Sequence, residues 1–228
     1  MKLSNRTAPH LLVLLVAASW ADCLRPRATN SFPKPTSTVL IIGSSVARGV
    51  GAPARHGWVY MLGQALAEHS LSMNNMAVPG FTTNLTKRML PFLLRAQRPR
   101  VVVIGLSLAN EKLDDTKSLG EADALAHRYE AELLALADKV AASASRPRVL
   151  IGGLYPCGCY QRPFQVAALR SADERLKRQR NYRYIDFLSA TDNGRGQWRD
   201  GEFYDELHPN SAGHRAMFSA VNLSWFFK

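Results

Sequence analysis

The sequence predicts an α/β protein with a five-stranded parallel sheet that is covered by helices on both faces. Five short apolar segments rich in β-branched residues recur along the chain, and each is followed by a segment with helical spacing of its apolar residues. This alternation implies right-handed β-α-β crossovers, which build a parallel sheet between two layers of helices. A composition of 46% hydrophobic and 21% charged residues suits one globular domain and excludes a largely disordered or collagen-like chain.

The strands are predicted from short apolar runs, which are typical of strands buried on both faces. Residues 38–42 (TVLII) form the first strand, and residues 101–106 (VVVIGL) give the strongest signal. A weaker run covers residues 71–78, and two further strands are predicted at 149–154 and 182–188. Helical spacing predicts helices over residues 58–69, 84–97, 119–143, 164–180 and 209–223. In open parallel sheets, sites form at the carboxyl ends of the strands, so functional residues are expected just after each strand.

The N-terminal segment has the layout of a secretory signal peptide. Lys2 and Arg6 precede an apolar run over residues 11–18, which ends in the small-residue pattern S-W-A at Ala21. We therefore expect cleavage after Ala21, a secreted or extracytoplasmic protein, and no transmembrane segment after cleavage. A stretch rich in Pro, Ser and Thr follows and predicts a linker or extended arm. The chain is thus divided into a signal peptide, a linker and a folded domain, at residues 1–21, 22–36 and 37–228.

The chain is strongly basic, with 29 Lys and Arg against 18 Asp and Glu and a net charge of +11. Loss of the signal peptide removes two basic and no acidic residues, which leaves about +9. Nucleic acid, an anionic membrane or an acidic polymer could each account for this charge. Secretion favours an acidic polymer or membrane that carries the substrate, and no specific nucleic-acid partner is expected. The densest basic run, residues 175–183, is interpreted as a solvated helix end, with polyanion binding as the alternative.

A candidate nucleophile follows the first strand. Gly43 permits a sharp exit from the strand, and Ser44 and Ser45 then lie on the turn at the carboxyl edge of the sheet. A serine in this place is exposed and positioned in advance, as a nucleophile must be.

A candidate base lies near the other end of the chain, in the segment DELHP at residues 205–209. Pro209 suits the first position of a helix, which would place His208 at the helix start. Asp205, three residues earlier, can accept a hydrogen bond from one imidazole nitrogen. The other nitrogen is then free to accept a proton, as a Ser-His-Asp system requires.

Two further loops offer hydrogen-bond donors at the same sheet edge. Gly80 follows the second strand and offers an unobstructed backbone N–H, and Asn110 follows the third strand and offers a side-chain NH₂. Donors of this kind stabilise the oxyanion that develops during acyl transfer. Four loops that supply Ser, Gly, Asn and Asp-x-x-His in this order indicate a hydrolytic site rather than four unrelated turns.

This set of residues resembles the SGNH hydrolases, also called GDSL esterases and lipases. The resemblance extends over about residues 38–220, and its most specific part is DELHPNSAGH at 205–214. It implies a flavodoxin-like three-layer α/β/α sandwich, and a reaction that needs no metal and no cofactor. It also implies that Ser45 is the nucleophile, His208 the general base and Asp205 its orienting carboxylate. The implied oxyanion hole consists of the Ser45 N–H, the Gly80 N–H and the Asn110 side chain.

The chain departs from the family pattern beside two of these positions. The first block usually reads Gly-Asp-Ser, but here Ser44 replaces the Asp. The third block usually reads Gly-x-Asn-Asp, but here it is LANE at residues 108–111, with Leu108 in place of the Gly and Glu111 in place of the second Asp. These changes bear on substrate range and efficiency more than on the reaction class. Alignment with the first block favours Ser45 over Ser44 as the attacking residue.

Other motifs are interpreted as structural. Residues 49–54 (GVGAPA) fit a loose dinucleotide fingerprint, but Pro53 disturbs the expected helix start, so a flexible glycine loop beside the nucleophile is predicted instead. The chain contains no G-x-S-x-G elbow, P-loop or H-E-x-x-H motif. The remaining candidate histidines lack a partner at catalytic spacing and are predicted to lie on the surface: His56, His69, His127 and His214.

Three cysteines in a secreted chain leave one unpaired, or pair one between molecules. Cys157 and Cys159 follow the fourth strand and can pair with each other in a tight ring, or one of them can pair with Cys23. Metal binding needs more ligands than this loop offers. A role in shaping the substrate pocket is the functional interpretation.

The leading hypothesis is a secreted, metal-independent serine esterase. Its substrate would be a carboxylic ester of a lipid, an acylated or acetylated carbohydrate or a small molecule. An acyltransferase or polysaccharide deacetylase of the same fold is one alternative, and release of free acid distinguishes hydrolysis from transfer. A binding protein with a degenerate site, whose basic surface holds acidic glycans, is the other, and it would not react with a fluorophosphonate probe.

Overall fold

A five-stranded, all-parallel sheet forms the centre of the fold. The structure, a computed structural model, describes residues 39–95 and 98–227, so the predicted signal peptide and linker lie outside the described residues. The strands are β1 (Val39–Gly43), β2 (Met73–Asn75), β3 (Val101–Gly105), β4 (Arg148–Gly152) and β5 (Arg183–Ile185). Their order is β2-β1-β3-β4-β5, which is the flavodoxin-like order. The predicted fold class is confirmed.

Helices cover the two faces of this sheet. None of the helices in the described part of the chain is long and apolar enough to cross a lipid bilayer. The helices are α1 (Ser45–Arg48), α2 (Trp58–Ala67), α3 (Thr83–Arg95), α4 (Leu119–Ala141), α5 (Pro163–Arg178), α6 (Phe187–Thr191), α7 (Ser211–Ser219) and α8 (Ser224–Phe227).

Two hydrophobic cores lie on opposite sides of the sheet because successive strand residues point to opposite faces. Leu40 and Ile42 of β1 join the core under α3, α4 and α5. Val39 and Ile41 join the core under α2 and α7. All residues of β1 and β3 are buried, and each buried Val, Leu or Ile contributes roughly 1.5–3 kcal/mol to stability. The continuous apolar runs in the sequence therefore correspond, as predicted, to strands that are buried on both faces.

Several predicted boundaries are wrong at their ends. The weak run at 71–78 contains only three strand residues, and the run at 182–188 divides into β5 and α6. The helix predicted over 209–223 contains only α7, which is shorter at both ends, and α8 begins after the predicted range. Pro209 is not the first helical residue, because the side chain of Asn210 accepts the N–H groups of Ala212 and Gly213 and caps α7. The Asn210 side chain accepts backbone N–H groups in the first turn, which would otherwise lack a partner. The helix therefore begins at Ser211, two residues later than predicted.

The carboxyl ends of β1, β2 and β3 are joined by backbone hydrogen bonds. Ser44 N donates to Gly105 O over 3.2 Å, and Val78 N donates to Gly43 O over 3.0 Å. A Cβ atom on Gly43 would lie 2.7 Å from Gly105 O and 2.6 Å from Ala47 Cβ. Gly43 is therefore required for close packing of the strand ends rather than for an unusual turn. These contacts bring three of the predicted loops to one edge.

Candidate active site

Ser45 is the first residue of α1, directly after the buried strand β1. It is half-buried, whereas Ser44 before it is completely buried. The Oγ atom of Ser45 lies 3.1 Å from Nε2 of His208, which is 163 residues away in the sequence. The structure thus brings the predicted nucleophile and the predicted base into hydrogen-bond contact.

His208 is held on its other side by Asp205. Nδ1 of His208 lies 2.9 Å and 3.0 Å from the two carboxylate oxygens of Asp205. The same carboxylate accepts the backbone N–H groups of Leu207 and His208, each over 2.8 Å. The imidazole is mostly covered, with 16% of the side chain exposed, whereas 45% of the Asp205 side chain is exposed. The three predicted residues therefore form one chain of hydrogen bonds.

The protonation states follow from the environment of Asp205. Partial burial acts to raise the pKa of this carboxyl, but the hydrogen bonds from the His208 side chain and the Leu207 N–H outweigh it and hold the pKa below 3.8. An ionised carboxylate only accepts hydrogen bonds, so Nδ1 of His208 carries the proton that it shares with Asp205. Nε2 is then the nitrogen that accepts the hydroxyl proton of Ser45.

The loop that carries Asp205 and His208 is anchored by its neighbours. The Asn210 side chain donates to Gly201 O over 2.8 Å and to Phe203 O over 3.1 Å, while it also caps α7. Gly158 N donates to Glu206 O over 2.8 Å, and Trp198 Nε1 donates to the same oxygen over 3.2 Å. Sequence reasoning missed the role of Asn210, although an Asn before Ser-Ala-Gly is a helix-cap signal.

The disulfide near this loop joins Cys157 to Cys159. Cys23, the alternative partner, lies outside the described residues. Gly158, between the two cysteines, approaches Glu206 so closely that a Cβ atom would lie 3.2 Å from Glu206 Cα. The disulfide loop therefore supports the segment between Asp205 and His208 rather than lining the serine directly.

The glycine loop after α1 packs against the base. Gly51 has φ +92°, and a Cβ atom there would lie 2.2 Å from Pro209 O and 3.0 Å from His208 Cβ. The sequence predicted only that the glycine loop lies beside the nucleophile. The close approach of Gly51 shows that the loop also fixes where the His208 imidazole lies.

His214 is buried, so the prediction of a surface residue is wrong for it, whereas His56, His69 and His127 are exposed. Its Nδ1 accepts the backbone N–H of Trp58 over 3.3 Å, and its Nε2 donates to Val50 O over 3.1 Å. The ring thus joins α7 to the start of the glycine loop at Val50 and to the first residue of α2, Trp58. Burial lowers the pKa of His214, and the nearby His208 lowers it further, while the Val50 hydrogen bond acts in the opposite direction.

His214 predicts a pH dependence of stability. Because its folded pKa is below the ordinary value of 6.5, the unfolded chain binds the proton more readily. The stabilising contribution is complete above pH 6.5 and is lost as the pH falls through the folded pKa. We expect His214→Gln to lower stability at pH 8 by about 1–3 kcal/mol, since a buried partner is left unpaired. Thermal unfolding at pH 8 and pH 5 should show a smaller pH effect in this variant than in the wild type, and an equal effect would contradict the assignment.

Ser44 belongs to a buried polar cluster beneath the site. Its Oγ lies 3.4 Å from the hydroxyl of Tyr155. Tyr155 follows β4 and stacks on Trp198 with ring centroids 5.8 Å apart. Burial raises the pKa of Tyr155 above 10.0, so it stays neutral. The serine that replaces the family Asp thus links the ends of β1 and β4, and within the described residues its side chain makes no hydrogen bond to His208.

The predicted oxyanion residues lie on two loops that are joined to each other. The Asn110 side chain donates one N–H to Phe81 O over 2.9 Å, next to Gly80, and so retains a second N–H. Gly80 is exposed and has φ +79°, with no atom within 4 Å of a Cβ position. No hydrogen bond within the described ranges links either residue to Ser45. The hydrogen bond from Asn110 to Phe81 O thus joins the loop after β3 to the loop after β2.

Glu111, the second departure from the family pattern, ties the same two loops together. Its Oε1 accepts the backbone N–H of Thr83 over 2.6 Å, at the start of α3. Burial raises the pKa of Glu111, and the Thr83 hydrogen bond acts in the opposite direction. The longer acid thus reaches across to α3 and holds the Asn110 loop against the Gly80 loop.

Within residues 39–95 and 98–227, no group of three or more His, Cys, Asp or Glu side chains is arranged to hold a metal ion.

Comparison with known proteins gives one family and a common fold. The model of the GDSL-like lipase/acylhydrolase family matches residues 41–216. A search of curated protein sequences found no significant match.

The solved structures similar to this chain share the fold at low identity. A lipase from a goat rumen metagenome is 18% identical with a TM-score of 0.65, over 80% of this chain and 94% of that one. An esterase from Pseudoalteromonas sp., inhibited by monoethylphosphonate, is 20% identical with a TM-score of 0.55, over 81% and 93%. A GDSL-like lipase from Bacteroides thetaiotaomicron is 14% identical with a TM-score of 0.59, over 90% and 93%.

Proposed function

The chain belongs to the GDSL-like lipase/acylhydrolase family and is an ester hydrolase, and from this premise we propose that it is a secreted serine esterase with Ser45, His208 and Asp205 as its catalytic triad. The observation that carries the proposal is the contact of 3.1 Å between Ser45 Oγ and His208 Nε2, with Asp205 on the opposite imidazole nitrogen. Secretion rests on the signal-peptide pattern at residues 1–21.

The reaction proceeds through an acyl-enzyme. His208 Nε2 takes the hydroxyl proton of Ser45 as Oγ attacks the ester carbonyl, and the carbonyl π electrons move onto oxygen. When the tetrahedral intermediate collapses, the bond to the alcohol oxygen breaks and His208 returns the proton to that oxygen. Water then repeats the sequence on the acyl-serine and releases the free acid. Asp205 keeps Nδ1 protonated and stabilises the imidazolium that forms in each step.

The oxyanion receives hydrogen bonds from the Ser45 N–H, the Gly80 N–H and the Asn110 side chain. Support comes from the second N–H of Asn110, which remains after the bond to Phe81 O, and from the open surroundings of Gly80. The bonds from Asn110 and Glu111 hold these donors in place before the charge develops, which is where such donors have most effect.

Asn110→Ala is expected to lower kcat by about 10²- to 10³-fold, because one oxyanion donor is lost. KM for the same small ester should change much less, since the developing charge is absent in the ground state. A matched variant, Asn84→Ala on the exposed first turn of α3, should leave kcat unchanged. A drop confined to KM would show that Asn110 binds substrate and does not stabilise the oxyanion.

The substrate is proposed to be a carboxylic ester with an apolar portion. Exposed apolar side chains lie on the two loops that flank the site: Phe203, Tyr204 and Leu207 beside His208, and Val78 beside Gly80. Such side chains favour contact with an acyl chain or an apolar alcohol. The net charge supports a further proposal, that the substrate is carried by an acidic polymer or membrane surface.

Covalent labelling tests the proposed nucleophile. A fluorophosphonate probe should label the protein once, and mass spectrometry of peptides should locate the adduct on Ser45. Wild-type protein incubated with a simple ester should also release free acid in step with the alcohol, even when a sugar or glycerol acceptor is present. An adduct on another serine would overturn the triad, whereas acyl transfer to the acceptor in place of free acid would establish an acyltransferase.

A further inference from the structure

The amino ends of three neighbouring strands, at the edge opposite Ser45, carry a row of arginines. The segments that lead into β3 and β4 both read Arg-Pro-Arg, and the segment that leads into β5 reads Arg-Asn-Tyr-Arg. Because β3, β4 and β5 are consecutive in the sheet, these segments lie side by side. Arg148 N donates to Arg100 O over 2.8 Å, which joins the first two directly. We call this row the arginine edge; it consists of Arg98, Arg100, Arg146, Arg148, Arg180 and Arg183.

The positive charge of the arginine edge is not compensated by nearby carboxylates. All six arginines are exposed, and none has an ion-pair partner among the described residues. By contrast, Lys177 close by is paired with both Asp173 and Asp186. Six like charges in one row repel each other, and an anionic ligand would relieve that repulsion.

A concave surface accompanies the arginine edge. A cavity of about 830 Å³ is lined by three members of the edge, Arg148, Arg180 and Arg183, by the paired Lys177 and Asp186, and by amide and aromatic side chains. The Arg183 guanidinium lies over the Trp225 ring, 5.9 Å from its centroid, and Arg148 donates to Trp225 O. These contacts hold two of the guanidinium groups in fixed places at the cavity wall.

We propose that the arginine edge binds an acidic polysaccharide, through the sulfate or carboxylate groups of the polymer. The guanidinium group presents paired N–H donors that match such oxyanions, and all the cationic side chains of the row are arginines rather than lysines. The edge is separated from Ser45 by the length of a five-residue strand, about 16 Å. It is therefore a site distinct from the esterase site, and it concentrates the enzyme on a polymer without touching the ester.

The surroundings favour a polysaccharide over a membrane or a nucleic acid. The large apolar side chains that the structure exposes do not include a residue of the arginine edge or of the cavity wall, so this surface has nothing to insert into lipid. The Trp225 ring in the cavity wall has the Arg183 guanidinium over one face, 5.9 Å from its centroid, and a single aromatic ring of this kind is not a row of stacking platforms for successive bases. A groove with charged, amide and hydroxyl groups suits a hydrated, charged sugar chain.

The test is binding of full-length protein to defined polymers at several salt concentrations. The probes are heparin, polygalacturonate, neutral dextran, vesicles that contain phosphatidylserine, and a single-stranded oligonucleotide. The triple variant Arg100→Gln, Arg146→Gln and Arg180→Gln removes one charge from each strand end, at side chains with no hydrogen bond in the described structure. The control triple Lys87→Gln, Arg195→Gln and Arg215→Gln removes the same charge from exposed positions elsewhere.

The edge triple should bind heparin and polygalacturonate at least ten-fold more weakly than the wild type. It should also lower the slope of log affinity against log salt by about one per arginine, while the control triple changes affinity less than three-fold. Hydrolysis of a small neutral ester should be unchanged in the edge triple, because the edge is about two Debye lengths from Ser45 at physiological salt. Equal losses in the two triples would overturn the proposal, and so would vesicles or oligonucleotide bound more tightly than either acidic polysaccharide. The binding assay does not require ester hydrolysis. Its result therefore stands even if the esterase proposal fails.

Discussion

Replacement of Ser45 by alanine is expected to lower kcat for a small ester by roughly 10⁴- to 10⁶-fold. The methyl group cannot attack a carbonyl, and His208 then has no hydroxyl to deprotonate at its Nε2. The rate that remains is what the oxyanion donors and substrate binding provide to attack by water. Steady-state kinetics with a chromogenic ester, together with circular dichroism to verify folding, measure this effect.

Ser44→Ala is the matched control, because the two serines are adjacent and differ only in what they contact. Ser44 is completely buried, and its Oγ lies near Tyr155 rather than near His208. We expect this variant to lose about 1 kcal/mol of stability, from the lost hydrogen bond, and to keep kcat within about ten-fold. If Ser44→Ala were inactive and Ser45→Ala active, Ser44 and not Ser45 would be the nucleophile.

Gly51→Ala is expected to lower kcat/KM by about 100-fold or more. The added Cβ would lie 2.2 Å from Pro209 O and 3.0 Å from His208 Cβ, so either the glycine loop or the imidazole must move. A displacement of about 1 Å of a catalytic group is enough for a loss of this size. The fluorophosphonate labelling rate should fall with kcat/KM, since both reactions need the same contact between Ser45 and His208.

The control for Gly51→Ala is Gly194→Ala, which carries the same backbone strain without the collision. The two glycines have φ values of +92° and +91°, but no atom lies within 4 Å of a Cβ position at Gly194. Both variants should lose about 1 kcal/mol of stability through the left-handed backbone, Gly51→Ala should lose more because of the collision with Pro209 O, and only Gly51→Ala should lose activity. Similar activity in the two variants would show that the close approach to His208 has no catalytic consequence.

The site as a whole depends on residues that are not themselves proposed to react. Asn210 caps α7 and holds the loop that carries Asp205 and His208. Glu111 and Asn110 bind the segment after Gly80, at Thr83 N and Phe81 O. The departures from the family pattern at Ser44 and Glu111 therefore have structural explanations, because Ser44 hydrogen-bonds Tyr155 after β4 and Glu111 joins the Asn110 loop to the start of α3.

The strands and the order of the functional blocks could be predicted because their signals are local. A continuous run such as VVVIG in β3 indicates a buried strand by its own composition, and the topology rules then fix where its carboxyl end lies. Asp205 and His208 are only three residues apart, so their contact could also be expected. Element ends were less predictable, because the start of α7 depends on the cap that Asn210 forms with its own neighbours.

Local patterns in the sequence were sufficient to predict the α/β class, the parallel sheet, and which residues follow each strand, because periodicity and turn chemistry act over a few residues. The tertiary structure was needed to show that His214 is buried between Trp58 and Val50, which are 156 and 164 residues away from it. It was likewise needed to show that Gly51 packs on His208, and that arginines from three strand starts form one row. Contacts between distant segments depend on how whole elements pack together, and no local pattern specifies that packing.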